Sequence, residues 1–319
     1  MKYYNRRDFL KTSALALGTL GVAGLPVSCG RGQRDGNENM FKYALCNESM
    51  QELSWAEQCN IIGNAGYKGV EIAPFTLVEK GVEEIGAGER QQMVQDMENA
   101  GIECAGLHWL LAPPPKGLHF TTPDDQLRKR SVDYLDSLID FCGDLGGEVM
   151  IFGSPGQRST TEGLSVQEAM DYFADGLSRV ADHAQERGVK ILVEPLSSDQ
   201  TDVVNTLADA MKIVNQVNHP AIATMFDFHN TPDETEPFDV LVRKYADHIH
   251  HVHFQAMDGT LMSPADLTPE YVRVFEVLKE LNYNKWVSVE VFDFEPGGKK
   301  IARECMKTFQ EIEERLGWH

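Results

Sequence analysis

Val189-Lys-Ile-Leu-Val-Glu194 is a short apolar run that ends in an acid and lies between two amphipathic stretches, Val166 to Arg187 and Asp202 to Val217. Its β-branched content and length read as a buried strand, and the flanking stretches carry apolar residues at the 3.6-residue spacing of helices. Strands separated by helices pair in parallel, because the helix returns the chain to the starting edge. The unit repeats in both directions. Toward the N-terminus, strands are predicted at Phe41–Cys46, Gly69–Ala73, Ile102–His108 and Glu148–Phe152, with helices at Ser54–Ala65, Glu89–Ala100 and Pro123–Leu145. Toward the C-terminus, strands follow at Ala221–Asp227, His248–Phe254 and Trp286–Val291, with helices at Phe238–Tyr245, Thr268–Leu281 and Lys299–Leu316. Eight strands, each followed by a helix and with no linker after residue 41, predict an α/β fold: a single (β/α)8 TIM barrel over residues 41–319. An open doubly wound sheet would carry a glycine-rich turn after its first strand, and Leu45-Cys-Asn-Glu-Ser49 is not one.

The first forty residues differ in kind. Asn5-Arg-Arg-Asp-Phe-Leu-Lys11 precedes the apolar Thr12 to Leu25, which resembles a twin-arginine export signal over residues 1–28. Leu25-Pro-Val-Ser-Cys29 is similar to a lipoprotein cleavage site, with Pro26 where an aliphatic residue is usual, and residues 29–40 read as a polar tether. The expectation is an exported protein, periplasmic or anchored in the envelope by a lipid on Cys29, that being its one membrane attachment. Losing residues 1–28 removes four basic residues and one acidic, taking the net charge from −20 to −23. So acidic a surface repels phosphate backbones, which argues against nucleic acid as a partner. The six cysteines show no CxxC spacing. Oligomeric state, homo-oligomer included, is left open.

In parallel barrels chemistry sits where strands end. The predicted strands end in His108, Glu194, Asp227, His253 and Glu290, and the last four are 33, 26 and 37 residues apart, each close to one strand-plus-helix unit. Alternation along the strands puts Val193, Ile191 and Val189 opposite Glu194, Phe226 and Thr224 opposite Asp227, and Val289 and Val287 opposite Glu290, so the carboxylates point into the barrel. His248-Ile-His-His-Val-His-Phe254 divides by the same rule: Ile249, His251 and His253 inward, His248 and His250 toward the helices. Three carboxylates converging on an imidazole repel one another unless a cation sits among them. Such an oxygen-rich donor set suits one divalent metal ion, manganese, magnesium, cobalt or zinc.

The motifs Val193-Glu-Pro-Leu196, Asn205-Thr-Leu-Ala-Asp-Ala210, Phe226-Asp227 with nearby His229, His251-Val-His253 and Val287-Ser-Val-Glu290 resemble the xylose isomerase-like superfamily of sugar isomerases and epimerases, from about Phe41 to the C-terminus. The resemblance implies a metal held by Glu194, Asp227, His253 and Glu290, with Glu194 and Glu290 as catalytic acid and base. It implies proton abstraction beside a carbonyl of a small carbohydrate through a metal-bound enediolate. It further implies that His108, Trp109 and His229 contact the substrate, and Glu71, at an earlier strand end, is expected to contact hydroxyls. His251, one layer below His253, is expected to support it. Three positions depart from ketose epimerases: the histidine usually three residues after the metal aspartate stands two after it, with Asn230 next; Gly259 replaces an arginine; and Ser197-Ser-Asp-Gln200 replaces an arginine-containing segment. The competing expectations are a lyase or hydrolase of 3-keto-glycosides at the same site and a non-catalytic sugar-binding lipoprotein.

Overall fold

A computed structural model describes residues 40–161 and 163–318. The signal and nearly all of the tether lie outside the described residues. Eight parallel strands, β1 Lys42–Cys46, β2 Gly69–Ile72, β3 Glu103–Leu107, β4 Val149–Phe152, β5 Lys190–Val193, β6 Ile222–Asp227, β7 Ile249–Phe254 and β8 Trp286–Val289, form a closed barrel in sequence order, with β8 paired back onto β1. Eight helices alternate with them: α1 Trp55–Ala65, α2 Ala87–Ala100, α3 Asp125–Asp144, α4 Val166–Glu186, α5 Leu207–Val217, α6 Phe238–Lys244, α7 Pro269–Glu280 and α8 Gly298–Arg315. The predicted barrel is the observed one. No helix among the described residues is long and apolar enough to cross a membrane.

Helix starts follow local chemistry. Ser54 and Ser165 each close a capping box with the glutamate three residues on, and Asp124 accepts bonds from the amides of Gln126 and Leu127. α5 departs from expectation by beginning at Leu207, five residues late. Asp202 is drawn off to the Thr160 amide at 2.8 Å, and Asn205 donates to the carbonyls of Leu196 and Thr201, so residues 202–206 form a loop and Thr206 caps the helix.

Strand alternation sorts the apolar side chains into two layers. Ile191, Val193, Ile222, Phe226, Val287 and Val289 join the large core under the helices. Val149, Ile151, Leu192, Ala223 and Met225 fill the barrel interior, and Ala44, Ala105 and Trp286 close its N-terminal end. Gly69 faces that end, where a Cβ would come within 2.6 Å of the Trp286 ring; this is why β2 starts with glycine.

β7 corrects one expectation. Thr224 pairs with Ile249 but Phe226 pairs with Val252, so β7 carries one extra residue between those points. The bulge turns Ile249 outward, into the core beneath the helices, while His251 and His253 both remain inward. Simple alternation fails because it assumes an uninterrupted ladder.

Candidate active site

At the C-terminal ends of β5 to β8 the barrel brings together one carboxylate oxygen each from Glu194, Asp227 and Glu290 and a ring nitrogen of His253, all within 4.8 Å of one another and all buried. The His253 Nδ1 lies 3.0 Å from Glu290 Oε2, 3.6 Å from Glu194 Oε1 and 3.7 Å from Asp227 Oδ2, yet it makes no hydrogen bond. A buried imidazole nitrogen without a partner, ringed by three carboxylates, has the chemistry of a divalent cation site. The donor set of three oxygens and one nitrogen fits such an ion.

The opposite nitrogen fixes the ring. His253 Nε2 bonds Glu71 Oε1 at 2.9 Å, and the other Glu71 oxygen lies 2.7 Å from His251 Nε2. Burial alone would raise the Glu71 pKa, but His251 and His253 hold it well below the usual carboxylate range. Glu71, expected to contact substrate hydroxyls, is fully buried with both its oxygens facing imidazoles, an arrangement that fixes the His253 ring. His251 sits where the sequence put it, one layer down.

Glu194 senses Glu290. Burial, and then the Glu290 charge, push Glu194 up to about 7 against the pull of His253. Burial likewise raises Glu290, with His253 opposing. A Cβ on Gly153, just past β4, would meet Glu194 Oε2 at 2.2 Å, so glycine is what lets the carboxylate rest against this backbone.

His108, just beyond β3, is buried with Nε2 2.7 Å from Glu48 Oε2 and 3.9 Å from Glu290 Oε1. Burial would lower its pKa, but the Glu48 carboxylate outweighs it and the ring is raised to about 9. Glu48 was not anticipated. It lies past the end of β1 in the 3-10 turn Asn47–Met50, where strand alternation no longer says which way a side chain faces. Burial, and then Glu71 and Glu48, push the neighbouring Cys46 thiol well up, leaving it protonated and a poor ligand.

Over this cluster an opening is lined by Trp109, Ser154, Gln200, Asn230 and Phe292 together with Glu194 and Glu290. Trp109 and Phe292 stand edge to face with centroids 6.4 Å apart. His229 stands beside this opening, its ring centroid 5.1 Å from that of Phe292 and its Nδ1 turned to the Met257 carbonyl at 2.9 Å. Asn230, in the lining, donates from Nδ2 to Asp227 Oδ2 at 2.9 Å and Glu194 Oε1 at 3.4 Å. Gln255 adds a bond to Asp227 Oδ1 at 3.2 Å.

Residues 59–312 match the xylose isomerase-like TIM barrel family. A protein of Synechocystis sp. named "Probable ketose 3-epimerase" is 28% identical over 245 residues, covering 72% of this chain and 76% of that one. An inosose dehydratase of Clostridium beijerinckii is 21% identical over 320 residues, covering 88% and 99%. Among solved structures, D-psicose 3-epimerase with D-fructose shares the fold with a TM-score of 0.74 at 15% identity, covering 86% of this chain and 99% of that one. The 3-keto-D-glucoside 4-epimerase of E. coli does so at 0.71 and 17%, with the same coverage. With the matched span taking in all eight barrel strands but the first, this chain belongs to the xylose isomerase-like TIM barrel family.

Proposed function

We propose that this protein is a metal-dependent sugar epimerase or isomerase that moves a proton beside a ketone. The observation that carries the reading is the convergence of Glu194, Asp227, His253 and Glu290, with two of the carboxylates raised in pKa at the floor of an opening. The relatives named as ketose 3-epimerases support it. Those four residues would hold the ion, which when bound polarises a ketone oxygen and acidifies the adjoining C–H.

The residues of this chain then divide the work. A buried carboxylate whose pKa is raised is suited to take a proton and return it, so one of Glu194 and Glu290 removes the C–H proton and the other delivers one from the opposite side. Return to the same carbon inverts it; return to the neighbouring carbon interconverts aldose and ketose. The pairing of His108 with Glu48 fixes the wall beside Glu290. Trp109 and Phe292 offer ring faces to apolar C–H faces of a sugar, and Ser154, Gln200 and Asn230 offer hydrogen bonds to hydroxyls. Among the described residues no lysine or arginine lines the opening, which suits an uncharged sugar better than a phosphorylated one.

A second reading uses the same first step. If the carbon next to the abstracted proton bears a glycosidic oxygen, the electron pair of the C–H bond expels it, the C–O bond breaks and the aglycone leaves. Phe292 and Phe294, exposed at 38% and 36% on the loop after β8, and the 21%-identical inosose dehydratase favour keeping this lyase reading. Export of the chain by residues 1–28, with or without a lipid on Cys29, belongs to the same proposal and places the sugar in the envelope.

The test is to incubate the metal-loaded protein with keto-sugars and keto-glycosides in heavy water and follow each carbon by NMR. Deuterium at a carbon beside the ketone supports the reading, and released aglycone selects the lyase. Sugar binding without exchange at any carbon makes the protein a binding protein instead.

A further inference from the structure

Two histidines of β7 and the turn before it take no part in the site above. His250, half-buried, lies at the N-terminal end of the barrel, and His248 is exposed beside it. The distance from Ile249 up to His253 is four residues, about 13 Å of strand, so this end is separate from the catalytic mouth. Between the α6–β7 and α7–β8 connections lies a cavity of about 270 Å3, the size of a small ligand site. Its floor is apolar, formed by Val242, Ile249 and Leu278, and Leu281 stands at its edge with 41% of its surface exposed.

The polar part of the wall carries a lysine and a histidine beside one aspartate, in a protein that is otherwise strongly acidic. Lys285 and His250 line the cavity, and Lys190 acts on both through its charge. Lys285 Nζ donates to the Ile249 carbonyl at 2.9 Å and feels the Asp247 charge, and Lys190 Nζ donates to the Pro220 carbonyl. The sole acid in the lining is Asp247. Burial, and then the neighbouring Lys190, lower Lys285; burial, and then Lys285 and Lys190, push His250 down to about 4. One half-buried ammonium, Lys285, backed by the charge of Lys190 and flanked by the neutral His250 ring, over an apolar floor is complementary to a ligand with one negative end and one apolar end.

We propose that this cavity binds a small organic anion, a carboxylate or phosphate monoester with an apolar body. The anion faces Lys285 and the His250 N–H, and the body lies on Val242, Leu278 and Leu281. The inference is independent of the reaction at the opposite mouth.

The experiment is calorimetric titration of the full metal-loaded chain with hexanoate and with phenyl phosphate, beside hexanol and inorganic phosphate. Saturable binding of both organic anions is expected, with hexanol and inorganic phosphate weaker. Lys285→Met should weaken the organic anions about tenfold, the loss of one charge-assisted hydrogen bond. Because Lys285 also bonds a strand carbonyl, the exposed Leu281→Glu is the second variant; it should weaken them with an unchanged melting temperature. Equal binding by both variants, hexanol binding as well as hexanoate, or no saturable binding of either organic anion would overturn the proposal. So would binding that is lost in Glu290→Gln and kept in both cavity variants, since that places the anion at the catalytic mouth.

Discussion

The same eight strands build two opposite ends. Inside the N-terminal end, Ala44, Ala105 and Trp286 close the barrel against Gly69, and these three side chains serve packing. Four residues further along the strands, Glu194, Asp227, His253 and Glu290 crowd charges together in a buried layer where burial works against them. One end contributes stability; the other is tolerated because of it. Strain of this kind, concentrated at one place in an otherwise consistent fold, marks a functional site.

That contrast can be broken at either end. Glu290→Gln and Glu194→Gln should each lower kcat by about 10²–10⁴-fold in the deuterium-exchange assay while leaving the metal-free melting temperature unchanged or higher, since a buried charge is removed. A variant at the catalytic end that unfolds the protein instead would erase the distinction. At the other end, Trp286→Ala should cost about 3–5 kcal/mol in urea unfolding, and metal affinity measured on the folded fraction should stay at the wild-type value. Glu71→Gln lies between the two and sharpens the line: orienting His253 without touching the ion, it should weaken metal binding about 10–100-fold by competition with a chelator.

The smallest effect is in the pH dependence of the metal-free protein. Glu194 rises from 4.5 to about 7, so between those values the folded state binds more protons than the unfolded one, and stability falls as pH rises. His108 rises from 6.5 to about 9, a stabilising contribution that is complete below 6.5 and lost as pH climbs through 9. The melting temperature of chelator-treated protein should therefore fall from pH 5 to pH 9. Added metal should reverse the lower part of that slope, because its ligands bind deprotonated. A flat profile without metal would mean that the carboxylates do not repel as their positions require.

Much of this was readable in the chain. A parallel barrel follows from eight apolar runs alternating with 3.6-period stretches, and acids at corresponding strand ends follow from counting by twos. Those signals are local and periodic, so they survive without coordinates, and they brought Glu194, Asp227, His253 and Glu290 to one place before any distance was known. Three-dimensional packing decided what periodicity cannot carry. The extra residue in β7 turned Ile249 outward. Competition for hydrogen bonds delayed α5 to Leu207, turned His229 to a carbonyl and left Asn230 facing the opening. Glu48 became a partner of His108 from sixty residues away. Glu71 became the support of a histidine because the closed barrel sets β2 and β7 across from each other, a contact between residues 182 apart that nothing along the chain announces.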